Sequence, residues 1–385
     1  MTGLLNNPPL SLYVHMPWCV RKCPYCDFNS HVSPAHTPAD DYIRALVADL
    51  EQDLPLVWGR PVHSIYFGGG TPSLFSAEHI ANFLSAVRAR LDLVPGIEIT
   101  LEANPGTIEH DSFSAYADAG INRVSLGVQS FDDDLLKRIG RIHGRSEVEQ
   151  SLLSLQKAKI SNFNLDLMYA LPGQGVAAAR RDVELAIQAE PAHISYYQLT
   201  IEPNTAFAVQ PPPLPADELA WDMYDTGLAL LAETGFDQYE ISAFARKDRQ
   251  SRHNLNYWRY GDFMAIGAGA HGKITSASEG TVMRFSKQRQ PKRYLQCLEK
   301  GGWMADRRVL GKDELVFEFF LNQLRLKQGV EIADFSGRTG LQWRLVEPRV
   351  AEAVNRGLLK IDNGLVKHTE LGWKFVNDSQ QIFLQ

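Results

Sequence analysis

Cys19, Cys23 and Cys26 stand in the run His15-Met16-Pro17-Trp18-Cys19-Val20-Arg21-Lys22-Cys23-Pro24-Tyr25-Cys26-Asp27-Phe28. The spacing is Cys-x3-Cys-x2-Cys, and its chemical content lies in offering three ligands rather than four. A four-iron, four-sulfur cube normally takes one thiolate at each iron. Three thiolates would leave one iron open to a small ligand, by the same logic that separates catalytic from closed zinc sites. A Cys3His zinc site using His15 or His31 is the competing reading of this spacing. A disulfide framework is poorly supported: the chain holds four cysteines, Cys297 is remote from the others, and three clustered thiols leave an odd one.

These residues need a scaffold, and strand-like and helix-like segments alternate through the first 235 positions. Short stretches rich in β-branched or aromatic residues fall at 11–16, 64–69, 97–104, 123–130, 162–170 and 193–200. Helix-length stretches lie between and after them, at 39–54, 77–91, 109–119, 147–159, 177–189 and 216–234. Six β-α units imply parallel strands covered by helices. The pattern fits an open doubly wound sheet and a barrel equally well. In either, functional residues gather at the C-terminal ends of the strands. The cysteine loop follows the first strand. Gly68-Gly69-Gly70-Thr71-Pro72 ends the second, Glu102 and Asn104 the third, Gln129 the fourth, and Asp166 falls within the fifth. A triple glycine after a strand lets backbone approach a ligand closely.

From about Ala243 the rhythm changes. A Gly-rich, aromatic stretch runs from His253 to Gly272, followed by a basic run over 284–293. Helical patterning returns at 312–326 and 343–356, and 358–361 with 365–368 flank Asn363-Gly364 as a hairpin signal. Helix, helix and hairpin together resemble a winged helix. A DNA-reading role is disfavoured because Glu347 and Glu352 sit beside the arginines of the recognition segment. The expected division is 1–240, a barrel; 241–305, a connecting region; and 306–385, an α-rich C-terminal domain.

Composition excludes some functions. A formal net charge of −6 over 385 residues argues against nucleic acid as a partner, which needs clustered Lys and Arg. No apolar run approaches the roughly 18 residues of a membrane span. Residues 1–10 lack the regions of a secretory signal, and with few cysteines this points to a reducing cytoplasm. Peripheral membrane contact and homodimer formation stay open.

The cysteine run, with an aromatic residue before its last cysteine, resembles the radical S-adenosylmethionine superfamily. Tyr-x-His-x-Pro-Trp-Cys, Gly-Gly-Gly-Thr-Pro, Glu-Ala-Asn-Pro-Gly, Gly-Val-Gln-Ser-Phe and Asn-Leu-Asp-Leu-Met-Tyr-Ala-Leu-Pro-Gly are similar to one branch of it. That branch holds oxygen-independent coproporphyrinogen III oxidases and HemW haem chaperones. The resemblance implies a partial (β/α)6 TIM-like barrel, α/β in class, plus a winged-helix-like C-terminal domain. It implies a [4Fe-4S] cluster on Cys19, Cys23 and Cys26, with S-adenosylmethionine on the open iron. Tyr13, Tyr25, Gly69, Gly70, Thr71, Glu102, Gln129, Arg141 and Asp166 are the implied cofactor contacts.

Two functions compete within the branch: oxidative decarboxylation of a tetrapyrrole, and binding of finished haem for delivery to haem-accepting proteins such as respiratory enzymes. Phe28 stands where the oxidases carry a fourth cysteine, and only twelve residues precede Tyr13. His253-Asn254-Leu255-Asn256-Tyr257-Trp258 resembles the haem-binding motif of the chaperones, with His253 as axial ligand. Taken alone, the same histidine reads as a buried residue in an aromatic core. His271 is a second ligand candidate, and Arg252 and Arg259 are candidates for the propionates. The expectation is a haem chaperone, with the oxidase as the alternative. Whether S-adenosylmethionine is cleaved, and so whether the protein is an enzyme, is not written in the sequence.

Overall fold

The computed structural model describes residues 5–106 and 111–384. Six parallel strands occur at the six expected places: β1 (Leu10–Met16), β2 (Val62–Gly69), β3 (Leu93–Ala103), β4 (Arg123–Gln129), β5 (Phe163–Tyr169) and β6 (His193–Gln198). Between and after them run α1 (Ala39–Asp53), α2 (Ala77–Arg88), α3 (Phe113–Ala119), α4 (Arg145–Lys157), α5 (Val176–Gln188) and α6 (Asp217–Glu233). Residues 109 and 110 of the helix expected over 109–119 lie outside the described residues.

Strand period explains how one sequence serves two environments. Successive side chains point to opposite faces. Leu12 and Val14 of β1, Ile65 and Phe67 of β2, and Val124 and Leu126 of β4 join the apolar core shared with the helices. The alternate residues Tyr66, Glu102, Arg123, Ser125, Asn164 and Asp166 line a cavity on the other face. Register sets them in layers, with Tyr66 opposite Thr100 and Thr100 opposite Arg123. Ser125 likewise stands opposite Asn164, and Asn164 opposite His193.

The sheet does not stop at six strands. Beyond β6 come β7 (Asp237–Glu240) and β8 (Ala243–Ala245), then the helix α7 (Arg252–Trp258). The stretch from 253 to 293 then supplies β9 (Asp262–Ile266), β10 (His271–Ser276) and β11 (Thr281–Lys287), followed by β12 (Met304–Val309). The described residues form a 12-stranded sheet in the order β12-β11-β10-β9-β1-β2-β3-β4-β5-β6-β8-β7. β9 runs parallel to β1, and β10 to β12 add antiparallel to it. Ion pairs bind this extension to the barrel, Lys287 with Asp49 and Asp53 of α1 and Arg60 with Asp262, while Lys273 with Asp262 joins β10 to β9 within it.

The C-terminal region is the expected winged helix. Its helices α8 (Lys312–Gln323), α9 (Ile332–Thr339) and α10 (Glu347–Asn355) are followed, after the hairpin, by the short helices Glu370–Lys374 and Val376–Gln381. Strands Leu359–Asp362 and Leu365–His368 turn through Asn363 and Gly364, whose φ angles of 49° and 80° are both positive, as a tight two-residue hairpin requires. Its own core includes Phe319, Phe320, Phe335 and Val350. Arg284 of β11 donates to Glu318 of α8 through two nitrogens at 2.9 and 2.7 Å, fastening the region to the sheet. Among the described residues no helix is long and apolar enough to cross a membrane.

Candidate functional site

Two cavities open at the inner face of the sheet. The first, of about 460 Å³, is lined by Cys19, Cys23 and Cys26. Cys19 ends the short strand Trp18–Cys19, which pairs with His31–Val32. Cys23 and Cys26 lie in the loop between, where Lys22 Nζ donates to the Phe28 and Ser30 carbonyls and Cys26 N–H to the Cys23 carbonyl. All three thiols are free of disulfides and half-buried. Burial raises the thiols of Cys19 and Cys26, and neighbouring thiolates add to the rise. Arg141 Nη1 donates to Cys23 Sγ at 3.6 Å, a cationic partner that suits an anionic sulfur.

The zinc alternative fits poorly. A single ion needs ligands converging to about 2.0–2.3 Å. Among the described residues no three His, Cys, Asp or Glu side chains are so placed. Both ring nitrogens of His15 are engaged, Nδ1 with the Tyr13 hydroxyl and Nε2 with the Asn29 carbonyl. A cluster with one thiolate per iron asks for spread ligands instead, and the donor set fits that demand.

Tyr25, Gly69, Gly70, Thr71, Glu102, Gln129, Arg141 and Asp166 all line the cysteine cavity; Tyr13 does not, and lines the neighbouring one. The glycines have a reason the sequence did not disclose. A Cβ on Gly70 would lie 2.5 Å from the Trp18 carbonyl oxygen, and one on Gly69 (φ +113°) 2.5 Å from the His15 ring. The N–H groups of Gly70 and Thr71 donate to Met16 and Trp18 carbonyls, so this loop is strapped to the cysteine strand. Its glycines are required by the chain itself as much as by a ligand.

Glu102 accepts from Tyr66 Oη at 2.8 Å and from Gly69 N–H at 3.2 Å. Burial, with Asp166 nearby, pushes its carboxyl up to about 7. Asp166 is also raised, chiefly by burial, and accepts from Asn164 and Ser125. Gln129 has a positive φ of 68° and accepts from Tyr197 Oη at 2.9 Å. Arg141 is pinned by the Gly127 carbonyl at 2.7 Å and by Asn104.

The second cavity is larger, about 1010 Å³, at the upper end of ordinary small-molecule sites. It shares Tyr66, Gly69, Glu102, Asn254 and Trp258 with the first. Its walls are aromatic, and its rim carries Arg284, Arg289 and Arg293. His253 sits in its wall, 8% exposed, stacked on Tyr66 with ring centroids 4.8 Å apart. Its Nδ1 bonds to Ser64 Oγ at 3.0 Å, and no hydrogen bond engages its Nε2 among the described residues. Burial, aided by Arg123, lowers its pKa to about 3, so the ring is neutral and free to ligate. His271 also lines this cavity.

Arg252 does not. Its Nη1 donates to the Gly96 carbonyl at 3.0 Å, away from both cavities, and Arg259 lines neither. The cations near a ligand here come instead from the basic run at 284–293, whose sequence signal was visible without a role. Sequence reasoning also passed over the inward row of Arg123, Ser125, Asn164, His193 and Ser195. Polar residues at every second position of strands buried on both faces were the available signal.

Comparison with known proteins adds to this geometry. The sequence profile of the Radical SAM superfamily matches residues 13–186, and that of the HemN C-terminal domain matches residues 310–375. The Heme chaperone HemW of Haemophilus influenzae is 46% identical over 381 residues, covering 98% of this chain and 98% of its own. The protein of the same name from Escherichia coli is also 46% identical, over 99% of this chain and 100% of its own. Among solved structures, coproporphyrinogen III oxidase (HemN) from Escherichia coli superposes with a TM-score of 0.82 over 98% of this chain and 90% of its own. At 23% identity that likeness speaks for the fold.

Proposed function

From the premise that the chain belongs to the HemW family of the radical SAM superfamily, we propose that it is a haem chaperone, which binds haem and passes it to haem-requiring proteins, respiratory enzymes among them. The observation that carries this reading is His253, a buried neutral imidazole held at Nδ1 by Ser64, in the wall of a cavity with aromatic sides and an arginine rim. An axial ligand, flat apolar walls and cations for two carboxylates are what a haem requires.

Cys19, Cys23 and Cys26 would hold a [4Fe-4S] cluster in the adjoining cavity. When bound, it supplies an iron open to S-adenosylmethionine. Glu102 and Asp166 offer acceptors for ribose hydroxyls, Arg141 a guanidinium beside the sulfurs, and Tyr25 and Gln129 further walls. Gly69, Gly70 and Thr71 bring backbone to the same wall, strapped to the cysteine strand. Tyr13, which tethers His15, serves the haem side. Residues 1–240 would carry the cluster, 241–305 the haem motif, and 306–385 the face offered to recipients in the cytoplasm or at a membrane surface.

The alternative is the oxidase, supported by the shared fold; the full-length relatives at 46% identity carry the chaperone name. One experiment separates them. The cluster is reconstituted anaerobically and haem titrated into wild-type and His253→Ala protein by absorption spectroscopy. A stoichiometric Soret shift, weakened in the variant, is expected. Conversion of coproporphyrinogen III to protoporphyrinogen IX by a preparation that binds no haem would overturn the reading.

A further inference from the structure

The floor of the cysteine cavity holds a cation that no described residue neutralises at contact. Arg123 opens β4, is 2% exposed and lines the cavity. Its guanidinium makes no hydrogen bond or ion pair with any described residue, and its Nε is shut off from solvent without a partner. The other cations buried nearby are not left so. Lys273 meets Asp262, Lys287 meets Asp49 and Asp53, and Arg141 meets Asn104, Gly127 and Cys23. Asp166 exerts its field on Arg123, but its oxygens accept from Asn164 and Ser125 at 2.8 and 3.2 Å. Buried charge without a contact partner is costly, and a site that keeps one is built to receive its partner.

Two more donors share this condition. Trp258 Nε1 is buried with no acceptor, and Trp258 lines both cavities. Asn254 precedes it by four residues, on the same face of α7, and also lines both. The side-chain amide of Asn254 makes no hydrogen bond among the described residues. Donors without acceptors, lining the same cavity as a buried guanidinium, select an anion. Glu102 and Asp166 in the same cavity disfavour a dianion, and the planar guanidinium fork suits a carboxylate.

We propose that Arg123, with Trp258 and Asn254, forms a carboxylate seat at the floor of the cysteine cavity, and that it takes one propionate of the tetrapyrrole held in the larger cavity. The inference rests on the haem-binding reading above. Trp258 and Asn254 bridge the two cavities, so a short flexible arm on a ligand in one reaches the other. The rim arginines are left for the second propionate.

The test uses full-length, cluster-loaded protein without S-adenosylmethionine. Haem and haem dimethyl ester are titrated by Soret absorption into wild type, Arg123→Gln and Arg123→Lys. Removing one partner of a buried charge pair should weaken haem binding by about thirtyfold or more in Arg123→Gln. Affinity for the ester should change by no more than about twofold, because the ester has no carboxylate to lose. Arg123→Lys should recover part of the loss. Equal weakening of haem and ester would mean a merely structural arginine, and unchanged haem binding would likewise overturn the seat.

A second measurement does not need the glutamine variant to fold. Sodium propionate should raise the melting temperature of haem-free wild type, and haem, but not its dimethyl ester, should abolish that gain. Protection by propionate that persists with haem bound would assign the site to a free carboxylate and sink the tethered arrangement. Absence of any haem binding by wild type would instead fail the chaperone reading itself, a result distinct from failure at Arg123.

Discussion

The two cavities touch along Tyr66, Glu102 and Trp258 yet are built in opposite ways. The cysteine cavity takes its three thiols from one contiguous loop and its walls from the strand ends of a repeating β-α unit. Its charged lining includes the half-buried carboxylates Glu102 and Asp166. The larger cavity draws on β1, β2, α7, β9 and the distant run at 284–293, with aromatic walls and cations at the rim. Buried carboxylates accept from a hydroxyl-rich ligand, whereas aromatic walls under arginines suit a flat anionic one. The adjacent cavities therefore offer unlike surroundings across a shared wall.

That contrast can be broken most sharply at Cys23. Cys23→Ala should abolish iron–sulfur absorbance after anaerobic reconstitution while leaving haem affinity within about threefold; equal loss of both would show that the cavities do not act separately. His253→Ala should do the converse, with cluster iron unchanged and haem affinity in Soret titration down by about a hundredfold. Ser64→Ala removes only the group orienting that imidazole and should cost about tenfold in the same titration.

Acidity sharpens the comparison further. Glu102 has a folded-state pKa of about 7, above its ordinary 4.5. Its contribution to stability is therefore complete below about pH 4.5 and lost as pH rises through about 7. Melting temperatures at pH 5 and pH 8 should differ less in Glu102→Gln than in wild type. S-adenosylmethionine affinity, measured by calorimetry, should rise severalfold from pH 6 to pH 8 as the carboxylate forms, and be flat in Glu102→Gln. His253, lowered to about 3, predicts no such slope for haem over that range. The smallest effect belongs to Arg252→Ala: with its guanidinium on the Gly96 carbonyl, haem affinity should move by less than about twofold, whereas Arg289→Ala should cost more.

How far these features could be read in advance depends on how local their causes are. The six parallel strands were legible because each is a short apolar run closed by turn chemistry. The hairpin at Asn363-Gly364 was legible because few other dipeptides tolerate two positive φ angles in succession. β9 to β12 were not. β9 is five residues long and wholly buried, so it shows no alternation, and its partner strand β1 lies some 250 positions earlier. For Gly69 and Gly70 the expectation was backbone approaching a ligand; both line the cysteine cavity, and the structure adds close packing on His15 and Trp18. Arg252 was favoured for its nearness in sequence to His253, but on a helix neighbours at one position diverge by about 100°.

The sequence by itself determined the β-α repeat, the cysteine loop and the polar residues closing each strand, because period, composition and short spacing are properties of contiguous chain. Tertiary structure alone set which residues face the lumen together, how the larger cavity forms beside the first, and that the Arg123 guanidinium meets no described partner at the floor of the cysteine cavity. Those outcomes depend on strand register and on where β9 joins β1, contacts between segments hundreds of residues apart whose closure no local pattern records.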